Sequence, residues 1–201
     1  MKSIILGVCG SIAAYKAADL ASKLVKRGHS LFVVMTENAT HFVGAMTFQT
    51  LSKNPVTSGV FDERESWRPT HIDLADRADL FLVAPATANI IAKLALGISD
   101  DALTSIALAT RAPFLIAPAM NGKMWLHPAT QQNAATLRAR GAEFIGPEKG
   151  MLACGYEGVG RLWNVDEIVA KADEILLGRE IARDDRVRST EKIKRKSKKI
   201  R

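Results

Sequence analysis

The residues with the clearest chemical potential lie near the end of the chain, where residues 150–161 read GMLACGYEGVGR. This run places a single cysteine, Cys154, among four glycines. A thiol serves as an acid or a nucleophile where it can reach a reacting group. A glycine-rich run is a poor setting for an inert core side chain, so Cys154 is a candidate for chemistry, with a buried structural cysteine as the alternative. Cys9 lies inside an apolar segment and is interpreted as structural.

Histidine is the second residue type that could do chemistry. His71 occurs in the sequence Pro69-Thr70-His71-Ile72, ahead of a helix-like segment, and the other three histidines flank predicted helices. A lone histidine is usually structural, and the position of His71 in the sequence does not by itself show that it is functional. No two histidines have the spacing of metal ligands, so we predict no metal site.

Small and polar residues follow four apolar segments. Gly10-Ser11 follow the first segment, where a helix begins. The N–H groups and dipole of a helix N-terminus suit a phosphate, and a simple N-cap is the alternative. The turn is neither the dinucleotide pattern G-x-G-x-x-G nor a P-loop. The next two loops offer groups that either bind a ligand or cap a helix, namely Thr36 and Asn38, and Thr87 and Asn89. The fourth loop places Asn121 at the ligand edge, and its amide both donates and accepts.

The elements that must position these residues alternate along the chain. Strands are predicted over 3–9, 30–36, 80–86, 112–120 and 142–147, with a short one at 56–61. Helices are predicted over 12–27, 47–53, 87–96, 100–110 and 164–177, with a short one ending at Phe42 and another running from Pro128 to Gly141. The strands are apolar on both faces, which is typical of a parallel sheet covered by helices on both sides. We therefore predict an α/β, flavodoxin/Rossmann-like three-layer fold with a mainly parallel sheet, whose ligand lies beyond the carboxyl ends of the strands.

Charge divides the chain into two parts. Residues 181–201 hold ten of the 28 Lys and Arg and three of the 21 Asp and Glu, so this tail accounts for the whole net charge of +7. We predict a folded domain over 1–180 and a basic, disordered tail over 181–201. Binding of nucleic acid or of a membrane by the tail is the weaker interpretation. No apolar stretch approaches the length of a membrane helix, no signal peptide is evident, and two cysteines make a disulfide framework improbable, so we expect a cytoplasmic protein.

Five stretches in order carry a family resemblance: GVCGSIAAYK (7–16), THI (70–72), APATAN (84–89), PAMNGKMW (118–125) and GMLACGYEGVGR (150–161). Through them, residues 1 to about 177 resemble the homo-oligomeric flavin-containing cysteine decarboxylases. The resemblance implies FMN as the cofactor. It implies FMN contacts at Gly10, Ser11, Ile12, Thr36, Asn38, Thr87, Ala88, Asn89 and Ala119.

The resemblance also implies a reaction. FMN oxidises the thiol of a substrate cysteine with His71 in the position of a base, and carbon dioxide leaves. The resulting enethiolate takes a hydride back from reduced FMN and a proton from Cys154. Asn121 would bind the substrate carboxylate, with Met120, Met124 and Gly155 also at the substrate. The glycines would let a flexible flap carry Cys154 onto the substrate. The implied substrate is 4'-phosphopantothenoylcysteine of coenzyme A biosynthesis, and the implied assembly is a trimer or a dodecamer of trimers with FMN at a subunit interface.

Three alternatives stay open: a flavin prenyltransferase of the same fold, a peptidyl-cysteine decarboxylase, and a regulatory subunit that binds flavin without turnover. Many bacterial relatives continue into a CTP-dependent ligase that makes the substrate. This sequence has the basic tail instead, so either a phosphopantothenoylcysteine synthetase is a separate protein and a candidate partner, or the tail replaces a linker.

Overall fold

The structure is a computed structural model that describes residues 1–59, 70–153 and 155–178. The strands are β1 (Ser3–Val8), β2 (Ser30–Met35), β3 (Leu80–Ala86), β4 (Phe114–Pro118), β5 (Glu143–Phe144), β6 (Glu148–Met151) and β7 (Glu157–Arg161). The helices are α1 (Ala14–Lys26), α2 (Glu37–Thr40), α3 (Ala45–Ser52), α4 (Thr70–Arg77), α5 (Ala88–Leu96), α6 (Ala102–Ala109), α7 (Gly122–Leu126), α8 (Pro128–Ala139) and α9 (165–178).

Strands β1 to β5 form one parallel sheet in the order β2-β1-β3-β4-β5. Both faces of this sheet are buried, because alternate strand residues face two separate clusters of apolar side chains. Ile4 and Leu6 of β1 belong to one cluster with α1, α3 and α9, whereas Ile5 belongs to the other with α4, α5, α6 and α8. The predicted three-layer α/β fold with a mainly parallel sheet is therefore confirmed.

The strand order reverses beside β1. The chain passes from β1 to β2 on one side and then to β3 on the other, so β1 lies between strands that are reached in opposite directions. The crossover segments diverge at such a point and leave a crevice beyond the carboxyl ends of the strands. The four loops selected in the sequence follow β1, β2, β3 and β4 and therefore meet at this edge.

Helix α1 shows why the sequence folds this way next to the crevice. Its buried stripe consists of small and branched residues at helical spacing, namely Ala14, Ala17, Leu20, Ala21 and Leu24. The helix begins at Ala14 and not at the predicted Ile12, because the preceding residues form a tight turn in which the Ser11 N–H donates to the Cys9 carbonyl at 2.9 Å. This turn leaves the first N–H groups of the helix at the strand end.

The glycine-rich run is part of an antiparallel hairpin that the sequence analysis did not predict. Strands β6 and β7 pair with each other in a sheet separate from the main one. The strand predicted over 142–147 consists only of the two residues of β5, and the chain then turns at Gly146, whose φ is +82°. Each hairpin strand is too short and too rich in glycine to give a recognisable period-two pattern.

One element was not predicted from the sequence, namely helix α7. Two further expectations differ from the structure or fall outside the described residues. The strand predicted at 56–61 appears only as a bridge between Thr57 and Val34, and residues 60–69 lie outside the described residues. The tail over 181–201 also lies outside them, so the domain boundary near residue 180 stays a prediction.

Among the described residues, no helix has the length and apolar character needed to cross a membrane. The described part of the chain also contains no group of three or more His, Cys, Asp or Glu side chains arranged to hold a metal ion.

The hairpin is attached to the main fold by backbone contacts at the β4–α7 loop. The Met120 N–H donates to the Gly160 carbonyl at 2.9 Å. A Cβ at Gly160 would lie 2.1 Å from the Met120 carbonyl oxygen, and one at Gly122 would lie 2.8 Å from the Val159 carbonyl oxygen. These glycines therefore permit close packing of two backbones, a role that differs from the flexibility inferred for the run.

We expect Gly160→Ala to destabilise the protein by about 2 kcal/mol or more, because backbone atoms cannot rotate away from the added methyl group. Urea unfolding would measure the effect. Gly44→Ala is the control, since Gly44 has an ordinary φ of −69° and no atom within 4 Å of its Cβ position. A Gly160→Ala protein as stable as the Gly44→Ala protein would contradict this account of the hairpin contact.

Candidate functional site

A cleft of about 640 Å³ lies at the carboxyl ends of β1 to β4. We call it the strand-end cleft. Eight of the nine residues that the sequence analysis selected as cofactor contacts line it: Gly10, Ser11, Thr36, Asn38, Thr87, Ala88, Asn89 and Ala119. The fold thus brings four loops that are distant in sequence into one wall, as expected for the edge of a parallel sheet.

The β1–α1 turn forms one end of the cleft. A Cβ at Gly10 would lie 2.5 Å from Asn38 Cβ and 2.9 Å from the Asn38 carbonyl carbon, so only glycine lets the first two loops approach this closely. Ser11 Oγ accepts from the Ala13 N–H at 3.3 Å and donates to the Ala119 carbonyl at 3.4 Å. Helix α1 has no acidic residue in its first turn, and Ser11, just ahead of it, lines the cleft, so the helix N-terminus can bind an anionic group. Three acidic residues, Glu37, Asp100 and Asp101, line other parts of the cleft.

Thr36 carries a buried polar atom without a hydrogen-bond partner among the described residues. Thr36 is the N-cap residue of α2, but its side chain makes no capping hydrogen bond. Its Oγ1 is buried and has no hydrogen-bond partner among the described residues. Buried hydroxyls usually have partners, so the capping alternative does not account for this side chain, whereas a bound polar ligand would.

Thr87 behaves differently from Thr36. Its Oγ1 accepts from the Ile90 N–H at 3.3 Å, so the capping alternative describes it. The hydroxyl can still donate its own proton into the cleft. Near Thr87, burial raises the pKa of the Cys9 thiol to about 12, against a smaller opposing effect of the hydrogen bond with the Thr87 backbone. Cys9 is 1% exposed and stays a neutral thiol at physiological pH, in agreement with its interpretation as structural.

A charged cluster that the sequence analysis missed lies at the rim of the cleft. Lys93 Nζ donates to the two carboxylate oxygens of Asp100 at 2.7 and 2.8 Å, and this bond lowers the pKa of Asp100. Asp101 forms a capping box with Thr104 at the start of α6. The sequence signal was available in the acidic pair that follows Gly97 and precedes an apolar helix.

A second cavity of about 380 Å³ adjoins the strand-end cleft, and Ser11, Ala119 and Met120 line both. We call it the hairpin cavity, because Leu152 and Ala153 of the hairpin line its other side. The hairpin cavity is therefore lined both by the main fold and by the hairpin segment that precedes residue 154.

Asn121 lines the hairpin cavity and is the N-cap residue of α7. Its Oδ1 accepts from the Lys123 N–H at 2.9 Å and from the Tyr156 hydroxyl at 2.8 Å. An anionic ligand accepts hydrogen bonds, so the Asn121 side chain can recognise one only through its Nδ2 donor. Tyr156 is a site residue that the sequence analysis did not select, and its proximity to Asn121 depends on the tertiary structure.

The remaining selected residues are distributed around these cavities. Met120 lines both cavities, and Met124 lines the strand-end cleft. Ile12 is 61% exposed and lines the hairpin cavity. Gly155 lines neither cavity and forms a turn with a φ of +86°.

Of the two residues selected for proton transfer, only His71 lies among the described residues. His71 lies in the first turn of α4 and lines neither cavity. Cys154 lies outside the described residues, so its assignment stays a prediction. What the described residues form is a polar cleft with an anion-binding end, next to a smaller cavity with an amide donor. This arrangement suits a cofactor and a substrate that react across a shared wall.

Comparison with known proteins gives consistent matches. The Flavoprotein family model matches residues 1–177. A probable phosphopantothenoylcysteine decarboxylase of Streptococcus mutans is 49% identical over 177 residues, which cover 87% of this chain and 99% of that protein. A solved structure of a PPC decarboxylase mutant complexed with pantothenoylaminoethenethiol is 30% identical, with a TM-score of 0.76 over 86% of this chain and 96% of that one.

The coenzyme A biosynthesis bifunctional protein CoaBC of Bacillus subtilis is 50% identical over 173 residues, which cover 86% of this chain and 43% of that protein. The chain therefore spans less than half of the length of this bifunctional relative.

Proposed function

The chain belongs to the Flavoprotein family, and from this we propose that it is an FMN-dependent carboxy-lyase that converts 4'-phosphopantothenoylcysteine to 4'-phosphopantetheine and carbon dioxide. The observation that carries the proposal is the shared wall of Ser11, Ala119 and Met120 between the strand-end cleft and the hairpin cavity. A cofactor in the strand-end cleft and a substrate in the hairpin cavity would be adjacent, as a redox decarboxylation requires.

Two features of the strand-end cleft fit FMN. The N-terminus of α1 after Gly10-Ser11 would hold the single phosphate, and the buried Thr36 hydroxyl would gain its missing partner. The absence of the pattern G-x-G-x-x-G at this turn favours a mononucleotide over FAD or NAD. When bound, FMN supplies a reversible acceptor and donor of two electrons.

Asn121 would recognise the carboxylate that is to be lost. Its Oδ1 is occupied by Lys123 and Tyr156, so the amide would present a donor to the substrate. A neutral amide holds a carboxylate without a full positive charge that would stabilise it against leaving. Met120 would form the floor of the cavity next to the reacting carbon.

His71 and Cys154 would move the protons. His71 would accept a proton while the substrate thiol is oxidised, and Cys154 would donate one to the enethiolate that remains after carbon dioxide leaves. Because His71 lines neither cavity of its own chain, we propose that the protein is a homo-oligomer in which a neighbouring copy supplies this side chain. The trimeric or dodecameric assembly expected from the family resemblance would satisfy this requirement.

The alternative functions differ in the substrate that each would use. A peptidyl-cysteine decarboxylase would act on a peptide that ends in cysteine, and a flavin prenyltransferase would consume dimethylallyl phosphate. A regulatory subunit would bind flavin and convert none of these substrates.

A cytoplasmic location and a separate synthetase partner accompany the proposed function as expectations.

We expect the purified protein to release carbon dioxide from 4'-phosphopantothenoylcysteine and to yield 4'-phosphopantetheine. Trapped carbon dioxide and the product mass are the measurements. The comparison substrates are a peptide ending in cysteine and dimethylallyl phosphate with reduced FMN. Faster reaction with either comparison substrate, or flavin binding without any turnover, would replace the proposal with the corresponding alternative.

We expect Thr36→Val to weaken FMN binding about 3- to 10-fold, because it removes a buried hydroxyl that a bound ligand would satisfy and that has no partner among the described residues. The flavin-free protein should be as stable as the wild type, since the chain offers Oγ1 no partner among the described residues. Fluorescence titration with FMN and urea unfolding are the measurements.

Thr87→Val is the matched control for this substitution. Its hydroxyl caps α5, so the flavin-free Thr87→Val protein should lose about 1 kcal/mol of stability. Equal loss of stability in both variants, with FMN binding unchanged in Thr36→Val, would assign the Thr36 hydroxyl to the fold instead of to the cofactor.

Mixed oligomers would test the shared site. His71→Asn and Cys154→Ser should each abolish complete turnover, but co-expression of the two with different tags should restore about one quarter of wild-type activity if each site draws on two copies. Co-expression of two tagged copies of His71→Asn is the control. Mixed oligomers that stay inactive would mean that both residues must come from the same chain.

A further inference from the structure

Tyr156 makes a direct contact between the hairpin and the loop that carries Asn121. It lies between β6 and β7, two positions after Cys154, and its hydroxyl is 2.8 Å from Asn121 Oδ1. The bond joins residues 35 positions apart, and Asn121 is partly exposed in the hairpin cavity. The hairpin therefore contributes a polar group to the setting of a side chain on the main fold.

The donors around Asn121 determine which end of its amide faces which way. The Lys123 backbone N–H can only donate, so the side-chain atom 2.9 Å from it must be the oxygen. Beside that oxygen the Tyr156 hydroxyl must act as a donor. Two donors from different elements, the Lys123 N–H on α7 and the Tyr156 hydroxyl on the hairpin, therefore meet at Oδ1 and restrict its position.

The Tyr156 ring lies close to Gly158. A Cβ at Gly158 would lie 3.1 Å from Tyr156 Cε2, closer than an ordinary contact, whereas one at Gly122 would lie at an ordinary 3.6 Å from the hydroxyl oxygen. The ring is 36% exposed and lies in a slot beside Gly158. The missing side chain at Gly158 therefore lets the ring lie where its hydroxyl reaches Asn121.

We propose that Tyr156 is a positioning residue that sets the affinity for the substrate carboxylate by holding the amide of Asn121 with its Nδ2 donor directed to the substrate. The inference rests on the proposed function and deepens it, because it assigns part of carboxylate recognition to the hairpin. The hairpin then has two separate tasks. One is to carry the predicted proton donor, and the other is to orient the group that binds the carboxylate.

Tyr156→Phe tests the inference, since it keeps the ring in its slot and removes only the hydroxyl. We expect KM for 4'-phosphopantothenoylcysteine to rise about 3- to 10-fold, as for loss of one neutral hydrogen bond, with kcat changed by less than about twofold. FMN content and the unfolding midpoint should match the wild type, because Tyr156 does not line the strand-end cleft. Glu157→Gln, at the exposed neighbouring position, is the control and should leave KM unchanged.

A double-mutant cycle with Asn121→Ala separates positioning from a direct contact. Substrate affinity can be followed by the change in flavin absorbance under anaerobic conditions, which remains readable where turnover is slow. If Tyr156 acts through Asn121, Tyr156→Phe should have no further effect in the Asn121→Ala background.

An equal effect in both backgrounds, or an unchanged KM in Tyr156→Phe, would overturn the inference while leaving the decarboxylase proposal intact. A wild-type protein that releases no carbon dioxide from 4'-phosphopantothenoylcysteine would overturn both.

Discussion

Burial of both faces of the sheet is the constraint on which the rest of the structure depends. A sheet with two apolar faces must be covered on each side, and helical crossovers between parallel strands provide that cover. Because the strands then point the same way, the loops after β1, β2, β3 and β4 all emerge at one edge. The strand-end cleft is a geometric consequence of this arrangement. The polar groups of the four loops are far apart in the sequence and come together only in this cleft.

A second constraint acts on the hairpin. Its strand β7 approaches the β4–α7 loop so closely that Gly160 and Gly122 leave no room for a Cβ. The glycines of the run therefore have two kinds of role. Gly155 adopts the positive φ of a turn, whereas Gly160 permits a close approach of two backbones and Gly158 a close contact with the Tyr156 ring. The hairpin cavity exists because this contact brings a second, small sheet against the edge of the first.

The polar groups around the cavities fall into two classes. Most are satisfied within the chain, as Thr87 and Asp101 are by capping and Asn121 is by two donors to its oxygen. The buried hydroxyl of Thr36 has no such partner among the described residues. Buried polar groups that the fold does not satisfy are the places where a ligand gains most, so Thr36 contributes more to the case for a bound cofactor than its satisfied neighbours do.

Patterns that are local in the chain were sufficient to predict the three-layer fold, the five parallel strands and the loops that line the strand-end cleft. Continuous apolar runs and polar strand ends are short-range signals, and the common direction of the strands brings the polar strand ends together in one site. The hairpin, the bond between Tyr156 and Asn121, and the position of His71 outside both cavities were beyond such reasoning. Each depends on how segments far apart in sequence pack together: β6 and β7 are stabilised by contacts with the β4–α7 loop, and their short, glycine-rich sequences carry no periodic signal of their own.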